Sequence, residues 1–79
     1  MITVTVRLYG TLPRRFEGYD PQQGLTVALW PGADTSDLLR HLGLADETVA
    51  VVIDGMIVWH NRTLADGALV RLFQPVQGG

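Results

Sequence analysis

Ile2, Val4, Val6 and Leu8 alternate with Thr3, Thr5, Arg7 and Tyr9 at the start of the chain. Successive side chains of a strand point to opposite faces, so this period of two predicts a strand over Ile2–Tyr9 with one buried face and one open face. A half-buried strand needs partners and a cover, and 79 residues provide room for only one core. The remaining chain must therefore supply both within a single unit.

From Gly10 to Gly24 the alternation lapses, and Pro13, Gly18 and Pro21 mark a connection that is long for a hairpin. Leu25–Trp30 alternates again and predicts a second strand antiparallel to the first. Pro31-Gly32 ends it. Asp34 or Thr35 then occupies a helix N-cap position, with Asp37 in the first turn. Leu38, Leu39 and Leu42 give the short helix one apolar face. Gly43 falls where a left-handed C-cap residue belongs, so that Leu44 folds back onto that face. Val49–Ile53 is a continuous apolar run, which predicts a central strand buried on both faces. Asp54-Gly55 predicts a two-residue hairpin turn into a fourth strand, Met56–Trp59. Asn61–Gly67 is a turn-rich connection to a fifth strand, Ala68–Phe73.

Composition narrows the function. With 47% hydrophobic and 18% charged residues the chain is a packed globule, not a disordered tail. It has no cysteine, so disulfides and thiolate metal sites are excluded and a cytoplasmic location is expected. No apolar run approaches the roughly 18 residues that span a bilayer. Net charge is −2 and the six arginines are scattered, which argues against nucleic acid. His41 and His60 lack a second ligand at helical spacing, so no metal site is expected. Ser36 at the helix start is the only serine, leaving nucleophilic catalysis without an actor. No lysine is present to accept an isopeptide bond or to serve a phosphate-binding loop of the P-loop type.

The sequence closes with Phe73-Gln74-Pro75-Val76-Gln77-Gly78-Gly79. At the usual glycine frequency of about 7%, two terminal glycines arise by chance in roughly 0.5% of chains. A frayed end or an expression remnant is the bland alternative. In strand five Arg71 must face outward, and Leu69 and Phe73 share that face while Val70 and Leu72 point inward. Phe73 is then an exposed aromatic beside the tail. Ile57 and Trp59 are candidates to join it in a docking patch, with Trp59 read equally well as core. Arg71 and Arg62 are candidates to meet acidic groups of a partner, a solvated arginine being the ordinary alternative.

Hairpin, helix and three further strands ending on Gly-Gly is the order of a ubiquitin-like β-grasp. The whole chain resembles the small sulfur carriers of the MoaD and ThiS type, with Gly10–Gly24 matching least. The likeness is carried by Val4-Thr5-Val6-Arg7-Leu8-Tyr9, by Thr63-Leu64-Ala65-Asp66-Gly67, and by Pro75-Val76-Gln77-Gly78-Gly79. The ending looks more like the molybdopterin synthase small subunit, although Gln74 replaces the first of two prolines usual there. Phe-Gln before the tail also occurs among thiamine-pathway carriers.

The resemblance implies an α+β fold, with a mixed five-stranded sheet packed on one short helix. Residues 1–74 would form the domain and residues 75–79 a flexible, extended tail. It further implies that an E1-like adenylyltransferase of the MoeB or ThiF type uses ATP to adenylate the Gly79 carboxylate. A sulfur donor enzyme then converts it to a thiocarboxylate. The sulfur would pass to the molybdopterin synthase large subunit or to a thiazole synthase, so that the chain is a carrier and not itself an enzyme, and binds no cofactor. Gly78 and Gly79 let two enzymes close around the carbonyl. Pro75 and Val76 belong to the threading segment, which Pro75 biases toward an extended form. The five residues Pro75–Gly79 reach on the order of 17 Å. A protein modifier joined through Gly79 and an inert-tailed interaction module are the remaining alternatives.

Overall fold

The computed structural model of the protein describes residues 1–75. Five strands form one mixed sheet: β1 (Ile2–Leu8), β2 (Leu25–Leu29), β3 (Ala50–Ile53), β4 (Met56–Val58) and β5 (Leu69–Phe73), in the spatial order β2-β1-β5-β3-β4. The N- and C-terminal strands thus lie side by side and parallel at the centre, while the other pairs are antiparallel. Val4, Val6 and Leu8 of β1, Val27 and Leu29 of β2, and Val70 and Leu72 of β5 all turn to one face and are buried there. The period of two seen in the sequence is the cause of this one-sided core.

A single helix, α1 (Thr35–His41), covers that face. Asp34 is its N-cap: Oδ1 accepts from the Asp37 N–H at 2.9 Å, and Asp37 Oδ2 accepts from the Asp34 N–H at 3.0 Å. This reciprocal box satisfies two of the amide donors that a helix start leaves free. Asn61 braces it from the connection before β5, donating to Asp34 Oδ2 at 2.7 Å and accepting from Thr35 Oγ1 at 2.8 Å. The Asp37 amide, then Asn61, hold the Asp34 carboxyl below the ordinary carboxylate range. At the other end Gly43 takes φ +75°, and Leu44 folds back to 1% exposure beside Leu38, also 1% exposed.

The Gly10–Gly24 connection is more than a loop. It contains a 3-10 turn, Leu12–Arg15, whose Leu12 is fully buried, and Phe16 and Tyr19 pack against the same core. The Tyr19 hydroxyl accepts from the Leu8 N–H at 2.8 Å, so this segment seals the end of β1. It returns at Gly24, which has φ +72° and lies so close to β1 that a Cβ would meet the Val6 carbonyl oxygen at 2.6 Å.

The expectation that Val49–Ile53 is buried on both faces is corrected. Only Val51 is buried in β3, because α1 and the connections cover one side of the sheet and leave the other open. Val52 stands on the open side between Ile57 and Arg71. The Asp54-Gly55 turn forms as expected, with φ of +48° and +85° at the two positions. No helix among the described residues is long and apolar enough to cross a membrane.

Candidate functional site

β5 is the strand that delivers the tail, and its central position fixes what surrounds the tail's root. On the open face Phe73 is opposite Ala50 of β3, and its ring stacks on Tyr9 with centroids 4.5 Å apart and planes 10° from parallel. Such a stack contributes about 0.5–1.5 kcal/mol beyond area burial. Phe73 is therefore half-buried, not the exposed aromatic that strand parity alone predicts. Parity places it on the correct face, but the parallel register that brings Tyr9 alongside is not visible in either strand by itself.

Arg71, one step back on the same face, donates from Nε to the Tyr9 hydroxyl at 3.3 Å. Beyond Phe73 the side chain of Gln74 accepts a hydrogen bond from the Thr11 hydroxyl, which ties the last residue before Pro75 to the connection after β1. Gly10 turns the connection there at φ +68°, and a Cβ added to it would meet the Gln74 side chain only at an ordinary contact distance of 3.8 Å. Gln74 is thus tethered to that connection immediately before Pro75.

Beside this root lies an apolar groove of about 570 Å³, lined among others by Ala50, Val52, Ile57, Trp59, Phe73 and Pro75. Ile57 is 56% and Trp59 83% exposed, so Trp59 belongs to the surface and not to the core. The fold brings Phe73, Ile57, Trp59 and Pro75 together as one patch. Arg71 stands next to it through the Ile57–Val52–Arg71 row. Arg62 does not join them: it is exposed at the opposite end, where its backbone pairs with Thr35 near the helix start. Val76, Gly78 and Gly79, and with them the expected extended tail, lie outside the described residues. Among the described residues no three histidine, aspartate or glutamate side chains converge to hold a metal.

Tyr9, Thr11, Ala50 and Val52 were not singled out by the sequence. Tyr9 carried a readable signal, since it continues the open-face parity of β1 to the end where β5 also terminates. A patch of exposed aromatic and aliphatic groups gathered around one strand end is suited to docking another protein.

A five-stranded mixed sheet folded over one helix, with its last strand in the centre, defines a ubiquitin-like β-grasp protein. The crystal structure of SAMP1 from Haloferax volcanii has the same architecture, with a TM-score of 0.73 over 98% of this chain and 99% of that one at 20% identity. The model of the ThiS family matches residues 12–79. The chain accordingly belongs to the ThiS family of ubiquitin-like sulfur carriers. No curated protein matches it.

Proposed function

We propose that this protein carries sulfur as a thiocarboxylate on Gly79 for molybdopterin biosynthesis. The observation that carries the sulfur-carrier reading is the ThiS-family match, which runs through Gly78-Gly79; the choice of pathway rests on the resemblance of Phe73–Gly79 to the ending of the molybdopterin synthase small subunit. The docking patch at the root of that segment supports it.

A terminal carboxylate, with a pKa near 3.3–3.7, is an anion at neutral pH and a poor electrophile, so activation must come from outside. An E1-like adenylyltransferase provides it: a Gly79 carboxylate oxygen attacks the α-phosphorus of ATP and pyrophosphate leaves. Persulfide sulfur from a donor enzyme then attacks the acyl carbon and AMP departs. Reductive cleavage of the resulting S–S bond by a thiol leaves the thiocarboxylate. This chain's part is to dock, through Phe73, Ile57, Trp59 and Arg71, and to present the Gly79 carboxylate to the enzymes that load and unload it. Glycine at positions 78 and 79 permits close backbone approach by both the loading and the accepting enzyme.

Thiazole formation in thiamine synthesis is the second reading, favoured by Gln74 where the molybdopterin-type ending has proline. The test is to load the protein with an adenylyltransferase, ATP and a sulfur donor, and to run it on an organomercury gel, which retards thiocarboxylates. Retardation that is lost on deletion of Gly79 is expected. Loaded protein is then offered to a molybdopterin synthase large subunit and to a thiazole synthase. Sulfur transfer to the first alone supports the pathway named here, and transfer to the second alone replaces it.

A further inference from the structure

Arg7 and Arg71 are direct Cα partners in the parallel β1–β5 pair, so their side chains leave the open face from neighbouring positions. Like charges placed opposite one another cost stability, and among the described residues no carboxylate pairs with either arginine. Among the described residues the ion pairs are Arg15–Glu47 and Arg40–Asp37, both elsewhere. The two guanidinium groups are nevertheless held in place. Arg71 donates to the Tyr9 hydroxyl, and Arg7 Nη2 donates to the Gln22 carbonyl at 2.9 Å while its Nε is buried without a partner.

The rest of the face sharpens the contrast. Its other strand residues are threonine or apolar, including Thr3, Thr5 and Thr26, Leu69, Val52 and Ile57. Asp54 and Asp66 sit at the end remote from Phe73, where they accept from the Leu69 and Thr3 amides, and the Asp20 carboxylate, in the connection that Arg7 touches, accepts from the Gln22 amide and pairs with neither arginine. A chain of net charge −2 therefore keeps two cations and no anion on the strands of its open face. The row Ile57–Val52–Arg71–Arg7 joins these cations to the apolar groove without a break.

We infer that the Arg7–Arg71 pair is an acceptor site for an acidic side chain of the activating enzyme, whose apolar neighbour enters the groove beside Phe73. This deepens the sulfur-carrier reading and rests on it. Arginine beside aromatic and aliphatic surface is the composition of a protein interface. Two cations are too few to track a nucleic-acid backbone. A phosphate cradle would need free amides, which the β1–β5 ladder consumes. A guanidinium pair presents several donors to a carboxylate, and its charge also accelerates encounter with an acidic surface.

The test is ATP–pyrophosphate exchange by a MoeB- or ThiF-type adenylyltransferase at varied carrier concentration and salt. The carriers compared are wild type, the double variant Arg7→Glu with Arg71→Glu, the neutral pair Arg7→Gln with Arg71→Gln, and the remote control Arg62→Gln. The charge-reversed pair is expected to raise KM about tenfold or more while kcat is retained. The wild-type KM should rise with salt, that of the neutral pair should be nearly insensitive, and the control should behave as wild type. The neutral pair removes the repulsion together with the hydrogen bonds to Tyr9 and the Gln22 carbonyl, so its melting temperature is measured beside that of wild type to show that it is folded in the assay. KM values within about twofold of wild type for both pairs overturn the assignment, as does an equal effect from Arg62→Gln. Failure of the wild type to support exchange overturns the sulfur-carrier reading itself and the inference with it.

Discussion

Phe73 has two tasks that a single substitution separates poorly. Its ring covers Tyr9 and also forms a wall of the groove, so Phe73→Ala should destabilise the fold by about 1–2 kcal/mol in addition to weakening docking. Trp59 provides the clean comparison, because at 83% exposure it holds nothing in place. Trp59→Ala should leave stability within about 0.5 kcal/mol of wild type and still raise the KM for the activating enzyme. Urea denaturation alongside pyrophosphate exchange checks both. Equal stability loss in the two variants would show that the patch is structural.

At the scale of the element, the start of α1 depends on an ionised Asp34. Its carboxyl is depressed by the Asp37 amide first and by Asn61 second, so it binds a proton less readily folded than unfolded. The stabilisation is therefore present above the unfolded pKa and is lost as pH falls through the lower folded value, in a window below about pH 4. Asp34→Ala should lower the melting temperature at neutral pH, and the gap to wild type should close as the pH is taken below that window. A gap independent of pH would contradict the role given to the charge. The elements themselves were legible because each is set by local chemistry: alternation for β1, Asp-Gly for the β3–β4 turn, an acidic cap and Gly43 for α1. The 3-10 turn at Leu12–Arg15 was not, since Leu12, Phe16 and Tyr19 have neither period and are ordered by the core they close. The one-sided exposure of β3 was missed for a related reason. An apolar run does not record which of its faces the molecule leaves uncovered, and Val52 lines the apolar groove on the open one.

Across the whole molecule, the parallel pairing of β1 with β5 gathers the candidate docking residues at one end of one face. Residues as far apart as Tyr9 and Phe73, Thr11 and Gln74, and Arg7 and Arg71 meet only because of it. That is why the sequence yields Phe73 with Ile57 or Trp59 as a candidate patch and Arg71 as a separate candidate, while Tyr9, Arg7 and the Gln74 tether emerge only with the register. The opposite end, with Arg62 and the Asp34–Asn61 network, serves the fold. All of this geometry converges on the root of the segment that ends at Gly79, and the central claim is that Gly79 is the atom-bearing end of the carrier. The most direct measurement is the intact mass of the protein before and after incubation with an adenylyltransferase, ATP and a sulfur source. The account predicts a gain equal to the exchange of one oxygen for sulfur, absent when Gly79 is deleted. An unchanged mass with an enzyme that adenylates the protein, or the same gain in the deletion variant, would contradict it.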